Sequence, residues 1–303
     1  MLKAVCVLLA LLTSTATFAA DEQCRASLAV QILGSGGPIA EGGRAGSSAV
    51  LWIDGKAAVL IDAGSGSFIR YGEAGINFVD HRAILITHFH ADHVSDLAAI
   101  LNSGSFTNRS EPLPLIGPAG SDYFPGTTDH LRALLDRERG AFRYLSGYLD
   151  GTSGRPVLQP IDIEAEGEIP YIDPLIDLKI TPIRVEHGVV PALAFLIEAK
   201  GKAIVFSGDQ NDMSDRFEAA LKGRKPDLLI AHNVIPNGEG QPIGLHRPPS
   251  SIGAMAAAID PKLLILSHNM KRALLRQEEG EASIREHYKG EMVVANDLDC
   301  FAL

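Results

Sequence analysis

Short apolar runs separated by glycine turns dominate the first part of the chain. Three of them, at 28–33, 48–53 and 57–61, predict successive strands because they are rich in aliphatic and β-branched residues. The pair Asp54-Gly55 between the last two runs is typical of a tight hairpin turn. The run at 83–86 predicts one further buried strand.

The rest of the chain alternates between strand and helix patterns. Further strands are predicted at 178–186, 193–198, 203–206, 228–231 and 263–266, and helices near 95–101, 128–138, 214–221, 249–259 and 271–288. Strands followed by mixed strands and helices indicate an α/β protein whose sheets are covered by helices. The stretch of about 102–177, rich in Gly, Pro and aromatic residues, is predicted to be an irregular insertion that either overhangs a site or packs against the body.

The N-terminus has the pattern of a secretory signal peptide. Lys3 precedes the apolar run 4–12, and the small residues that follow suit cleavage after Ala19 or Ala20. The apolar run is too short for a stable membrane anchor, and no cysteine follows it as a site for a lipid. We therefore predict a signal peptide at 1–20, a mature domain at 21–303, and a periplasmic or secreted protein without a membrane anchor.

Two cysteines, Cys24 and Cys300, remain after removal of that peptide. An exported protein reaches a compartment that permits oxidation. A disulfide between the two cysteines and two free thiols are both compatible with the sequence. The oligomeric state also stays open, a dimer included.

The most informative chemical feature is the segment Thr87-His88-Phe89-His90-Ala91-Asp92-His93, directly after a predicted buried strand. Three imidazoles and a carboxylate so close together are costly to bury without hydrogen bonds or a cation. Imidazole and carboxylate suit Zn²⁺, Mn²⁺ or Fe²⁺, and no cysteine lies nearby to complete a structural zinc site. The segment therefore predicts a metal site.

The spacing His88-x-His90-x-Asp92-His93 resembles the signature of the metallo-β-lactamase superfamily. The resemblance extends along nearly the whole predicted mature domain. The glycine-rich stretch 33–38 and the motif at 61–64 resemble the branch that contains ribonuclease Z and arylsulfatase-like enzymes. His187, Asp209 and His268 stand, in the required order, where that branch has its later metal ligands. The resemblance implies a four-layer αββα sandwich.

The same resemblance implies a site for two divalent ions. Zinc is the first candidate, with manganese or iron as alternatives. One ion would have three histidine ligands, the other two histidines and an aspartate, and a second aspartate would bridge both ions. These ligands are, in that order, His88, His90 and His187; His93, His268 and Asp92; and Asp209.

Further roles next to the metals are implied in the same way. Asp92 and His246 are the catalytic candidates, and His246 stands where the branch has a histidine linked to protonation of the leaving group. The alternative for His246 is a loop histidine without a chemical role. Asp62 either orients a ligand or forms a turn. The ribonuclease Z relatives have a His-Glu pair at the position of His232, shifted by one residue. We expect His232 to lie beside the ligands.

This ligand set predicts an enzyme that hydrolyses esters with a water activated by two metal ions. We expect a small phosphodiester or an aryl-sulfate ester as substrate. The alternatives are tRNA 3′ cleavage as in ribonuclease Z, lactone hydrolysis, and a relative that binds metal without catalysis. The net charge is −10, no cluster of Lys and Arg is visible, and 21 residues between His187 and Asp209 are too few for a tRNA-gripping arm. The sequence therefore disfavours a nucleic-acid partner.

Overall fold

Two β-sheets packed face to face form the centre of the computed structural model, which describes Cys24, residues 26–164 and residues 170–303. The predicted signal peptide at 1–20 lies outside the described residues. Each sheet has seven strands within the described part of the chain.

The first sheet is half antiparallel and half parallel. Its strands are β1 (Leu28–Gly34), β2 (Ser48–Ile53), β3 (Lys56–Ile61), β4 (Ala83–Leu85), β5 (Leu113–Pro118), β6 (Leu158–Ile163) and β14 (Cys300–Ala302). They lie in the order β14-β1-β2-β3-β4-β5-β6, antiparallel up to β3 and parallel from β3 onwards. The predicted turn Asp54-Gly55 joins β2 to β3, and both of its residues have the positive φ of a tight hairpin.

The second sheet repeats this arrangement. Its strands are β7 (Tyr171–Asp173), β8 (Leu178–His187), β9 (Val190–Ala199), β10 (Lys202–Phe206), β11 (Leu228–His232), β12 (Leu263–Ser267) and β13 (Glu291–Val294). They lie in the order β13-β12-β11-β10-β9-β8-β7, parallel from β13 to β10 and antiparallel from β10 to β7.

Helices cover the outer face of each sheet. The first sheet packs against α1 (Ser67–Glu73), α2 (Ala91–Val94), α3 (Leu97–Gly104), α4 (Thr127–Leu135) and α5 (Gly147–Asp150). The second packs against α6 (Asp215–Leu221), α7 (Pro249–Ile259) and α9 (Gln277–His287), with α8 (Lys271–Leu274) between β12 and α9. The predicted four-layer αββα sandwich is confirmed.

The central strands, such as β1, β2, β4 and β5, are buried on both faces, which explains their apolar runs. Successive side chains of a strand point to opposite faces. In β1, Val30 and Ile32 therefore enter the core between the sheets, whereas Ala29 and Leu33 enter the core under the helices. Phe195 of β9 meets Val30 in the inter-sheet core from the other side.

The prediction of an irregular insertion at 102–177 is wrong in part. This stretch supplies two parallel strands, β5 and β6, the helix α4 and the edge strand β7. Prolines concealed these strands in the sequence. β5 contains Pro114 and Pro118, and β6 contains Pro160, and proline is a signal against a strand interior. The predicted helix at 271–288 is also divided, into α8 and α9.

No helix in the described ranges is long and apolar enough to cross a membrane. Cys24 and Cys300 form a disulfide, with their Cα atoms 5.8 Å apart. Both cysteines are buried, and Cys300 belongs to β14, whose neighbour in the sheet is β1. The disulfide therefore closes a covalent loop across 276 positions of sequence.

Replacing both cysteines by serine is expected to lower the free energy of unfolding by about 2–4 kcal/mol, because a cross-link over a long loop restricts the unfolded chain. Urea unfolding followed by circular dichroism measures this loss. Reductant should destabilise the wild type by a similar amount and leave the double variant unchanged. Alkylation of both thiols in denatured, unreduced protein would contradict the disulfide.

Candidate metal centre

The predicted ligands lie at one edge of the sandwich, where loops leave the carboxyl ends of strands. The histidine cluster follows β4, Asp209 follows β10, and His268 follows β12. His187 is the last residue of β8, which runs parallel to β10 because both pair antiparallel with β9. Carboxyl ends of parallel strands meet at the same edge, so residues from distant parts of the chain become neighbours.

The structure brings all seven predicted ligands together in two adjacent groups. The potential ligand atoms of each group lie within 4.8 Å of one another. The groups are His88, His90, His187 and Asp209, and Asp92, His93 and His268. Asp209 also faces the second group, since its Oδ1 lies 3.6 Å from His268 Nε2. These two groups match the division that the family resemblance implied. A third group, Asp209, His232 and His268, overlaps both of them and adds His232, which we predicted beside the ligands.

The distances between ring nitrogens fit a shared cation. His93 Nε2 lies 3.2 Å from His268 Nε2, and His187 Nε2 lies 3.4 Å from His90 Nδ1. Two nitrogen ligands at zinc–nitrogen distances of about 2.0–2.1 Å in a tetrahedron are roughly 3.3 Å apart. The donors are therefore spaced as ligands of one ion would be.

His88 gives a second indication that the site suits a metal ion. Its ring is fully buried, and Nε2 has no hydrogen-bond partner among the described residues. Burial holds the pKa of His88 well below its ordinary value, so the ring is neutral and its lone pair is available. A buried nitrogen without a partner costs about 1–3 kcal/mol, which a metal ion would offset.

The carboxylates of the centre are ionised. Burial alone would raise the pKa of Asp209, but His268, His232 and His93 around it lower that pKa well below its usual value. Burial lowers the pKa of His93, yet Asp62 and the other carboxylates outweigh it and raise that pKa to about 9. The position next to His93 Nε2 therefore favours a cation, either a proton or a metal ion.

Asp62 serves both of the roles considered for it. Its backbone has a φ of 55°, which forms a turn after β3. Its carboxylate accepts hydrogen bonds from the Thr87 amide at 2.7 Å, the Thr87 hydroxyl at 2.8 Å and His93 Nδ1 at 2.8 Å. The bond to Nδ1 fixes the orientation of the His93 ring and directs Nε2 towards the other donors.

A backbone carbonyl that sequence reasoning missed orients His187. The Nδ1 atom of His187 donates to the carbonyl oxygen of Leu245 at 2.9 Å. This bond leaves the lone pair of His187 Nε2 for a metal. Every residue has such a carbonyl, so no sequence signal could have identified it.

His232 and His246 both approach Asp209. His232 Nδ1 donates to Asp209 Oδ1 at 2.6 Å. His246 Nδ1 lies 3.8 Å from Asp209 Oδ2, and this buried nitrogen has no hydrogen-bond partner within the described ranges. Burial lowers the pKa of His246 to about 4, so the ring is neutral near pH 7. The structure thus places both predicted neighbours of the ligands at the centre.

The glycines of the first two motifs allow backbone to approach the ligands closely. A Cβ atom on Gly37 would lie 2.5 Å from Cε1 of His268 and 2.7 Å from Met270 Sδ. One on Gly64 would lie 2.0 Å from the carbonyl oxygen of Asp92. Only glycine fits at these two contacts, which explains why the motifs contain it.

A cavity of about 260 Å³ is formed by segments next to the centre, but none of the seven predicted ligands lines it. One wall is the hairpin 188–193 that follows His187, and the other is the segment 118–121. The loop that continues from this segment carries Phe124, whose ring lies 6.0 Å from that of His90.

Residues 58–269 match the family described as Beta-lactamase superfamily domain. The chain belongs to the metallo-β-lactamase superfamily. Ribonuclease Z of Mycolicibacterium paratuberculosis is 28% identical over 279 residues, which cover 89% of this chain and 96% of that relative.

Members of the superfamily with solved structures share the fold. The metallo-β-lactamase fold protein YhfI of Bacillus subtilis has a TM-score of 0.69 at 17% identity, with 90% of this chain and 99% of that one covered. The short form of human tRNase Z has a TM-score of 0.66 at 20% identity, with 90% and 98% covered.

The prediction that disfavoured a nucleic-acid partner is wrong. Two relatives that align with most of this chain are ribonucleases by name, ribonuclease Z and tRNase Z. The net charge of −10 is a sum over the whole chain and does not report the charge around one site.

Replacing Asp62 by asparagine is expected to weaken metal binding about 10- to 100-fold, because the His93 ring loses its charged hydrogen-bond acceptor. Competition with a chelator, followed by metal analysis, measures the affinity. Asp54→Asn is a matched control, since Asp54 also has a positive φ but lies in the β2–β3 hairpin. Equal affinity of the Asp62 variant and the wild type would show that this carboxylate does not support the centre.

Proposed function

We propose that the protein is an enzyme that hydrolyses phosphodiester bonds with two divalent metal ions, zinc being the first candidate. The observation that carries the proposal is the pair of adjacent ligand groups with Asp209 between them. Its Oδ2 lies 3.6 Å from His187 Nε2 and its Oδ1 lies 3.6 Å from His268 Nε2. Two ions bound there would activate a water at a pKa of about 7 and polarise the phosphorus–oxygen bond. The ions would be held by the seven residues of the two groups.

The carboxylates of Asp92 and Asp209 are placed to orient a water or a substrate in the site. Asp92 Oδ2 lies 3.1 Å from His268 Nε2. Burial alone would raise the pKa of Asp92, but the hydrogen bond with His268 and the charges of His93 and His268 together lower it to about 2. Asp92 is therefore ionised, and its remaining lone pairs can accept a hydrogen bond from the attacking water. His232 restrains Asp209 through the bond to Oδ1 and so fixes the direction of Oδ2.

His246 is placed to act on the leaving group. Its neutral ring carries one N–H group, which can donate to an oxygen of the substrate. The negative charge of a bound phosphodiester would raise the pKa of the ring and favour its protonated form. The ring could then pass a proton to the departing alkoxide.

Two kinds of phosphodiester are candidates for the substrate. Small organic diesters are one kind, and the cavity of about 260 Å³, formed in part by the hairpin that follows His187, lies near the ligands. RNA is supported by the ribonuclease Z relative, which aligns with 89% of this chain. Both substrates have the same scissile bond, so the site chemistry described above serves either.

We also propose that the protein is exported. The signal-peptide pattern at 1–20 and the disulfide between Cys24 and Cys300 support a periplasmic or secreted location. Edman sequencing of protein purified from its native host should then begin at Ala20 or Asp21, whereas a sequence that begins at Met1 would contradict export.

A substrate panel tests the proposed reaction. Zinc-loaded protein should hydrolyse bis-p-nitrophenyl phosphate and lose this activity with a chelator. Precursor tRNA, p-nitrophenyl sulfate and a simple lactone form the other arms. Preferred cleavage of precursor tRNA would identify RNA as the substrate, and turnover of the sulfate or the lactone alone would overturn the phosphodiesterase proposal.

His90→Ala and His246→Ala are expected to differ in one respect. Loss of His90 should abolish activity and lower the metal content, because His90 belongs to the first ligand group. Loss of His246 should keep the metal content and lower kcat for a phenyl phosphodiester, whose leaving group needs a proton, by about 10²–10⁴-fold, the usual contribution of a general acid. His287→Ala is the control, since His287 is exposed at the end of α9. Full activity of His246→Ala would remove this residue from the mechanism.

A further inference from the structure

The loop 242–248 contacts the metal centre through its backbone as well as through His246. The carbonyl oxygen of Leu245 accepts the hydrogen bond from His187 Nδ1. The carbonyl oxygen of Gly244 accepts a hydrogen bond from Asn211 Nδ2 at 2.7 Å. The conformation of this loop therefore sets the positions of both histidine rings.

Arg247 follows His246 in this loop, and its side chain is buried, with 4% of the residue's surface exposed. Its Nε and Nη2 both donate to Gln210 Oε1 at 3.2 Å. Its Nη1 donates to Ser251 Oγ at 3.1 Å, and its Nη2 lies 2.9 Å from Glu218 Oε1. One guanidinium thus connects the loop to α6 and to α7.

The contact with Gln210 reaches the centre itself. Gln210 directly follows Asp209, is 4% exposed, and donates from Nε2 to the carbonyl oxygen of Ser207 at 2.9 Å. Arg247 therefore fixes the loop of His246 to the turn that carries the shared carboxylate. The planar fork of an arginine permits this set of bonds, and a lysine cannot reproduce it.

We propose that Arg247 is a positioning residue for leaving-group protonation: it holds His246 at its place beside Asp209. This inference rests on the proposed function. The hydrogen bonds and the ion pair of Arg247 reach none of the seven predicted ligands, and its side chain lines a small cavity together with His246. It therefore acts through His246.

A defect in leaving-group protonation has a signature that a merely structural defect lacks. A poor leaving group needs the proton, whereas p-nitrophenolate departs readily without it. In Arg247→Met, kcat for a phenyl phosphodiester should fall about tenfold or more, and kcat for the p-nitrophenyl diester by less than about threefold. KM and the metal content should stay at the wild-type level. Arg247→Lys should recover only part of the loss.

Two further variants separate this role from stability. Glu218→Gln removes the ion pair at the α6 side and keeps the bonds to Gln210, so it should lower thermal stability without a change in leaving-group dependence. Gln210→Met removes the acceptor of the guanidinium and should reproduce the effect of Arg247→Met. The double variant should lose no more than either single variant, because both changes break the same contact.

NMR gives a readout that needs neither metal nor turnover. The ring signals of His246, assigned with His246→Ala, should shift in metal-free Arg247→Met and in Gln210→Met, and should stay in place in Glu218→Gln. Unshifted signals, or equal losses of kcat on both diesters, would overturn the positioning role. Absence of turnover of any diester by the wild type would overturn the proposed function instead.

Discussion

The structure depends on one electrostatic constraint, the burial of a group of imidazoles and carboxylates that have too few hydrogen-bond partners among themselves. His88 Nε2 and His246 Nδ1 are buried without a partner in the described part of the chain. Asp209 is ionised and nearly inaccessible to solvent. Each unpaired buried group costs about 1–3 kcal/mol, and an unpaired charge costs more. Divalent cations would satisfy both His88 and Asp209, so the surrounding structure can be understood as a means of keeping the donors in place for them.

The two sheets provide that means because both change from antiparallel to parallel pairing. The parallel halves present their carboxyl ends at one edge, where the loops of β4, β10 and β12 begin. Each loop is short near its ligand and is fixed by specific contacts, such as Thr87 on Asp62 and Gly37 against the His268 ring. A rigid scaffold with functional loops at its edge is the usual arrangement for catalysis, since the scaffold carries stability and the loops carry chemistry.

The sequence predicted those features that local patterns determine. The cluster from His88 to His93 lies in one short segment of the sequence. Alternating or continuous apolar runs marked most strands. The strands β5 and β6 escaped, because prolines obscure their patterns and their pairing depends on neighbours that are distant in sequence. The Leu245 carbonyl and the Arg247–Gln210 contact also escaped, since a backbone carbonyl is common to all residues and a buried arginine looks like a surface one in sequence. The partner prediction failed for a related reason: a net charge contains no information about position.

The seam between β1 and β14 has a consequence for how the protein reaches its fold. β1 pairs with β2 soon after both are synthesised, but its other edge waits for β14, which follows almost 270 residues later. Until then β1 presents a row of unpaired amide and carbonyl groups, which is a template for association with another chain. Pairing over such a separation is slow because a very long loop must close first. The step that protects the newly made protein from aggregation is therefore among the last steps of its folding.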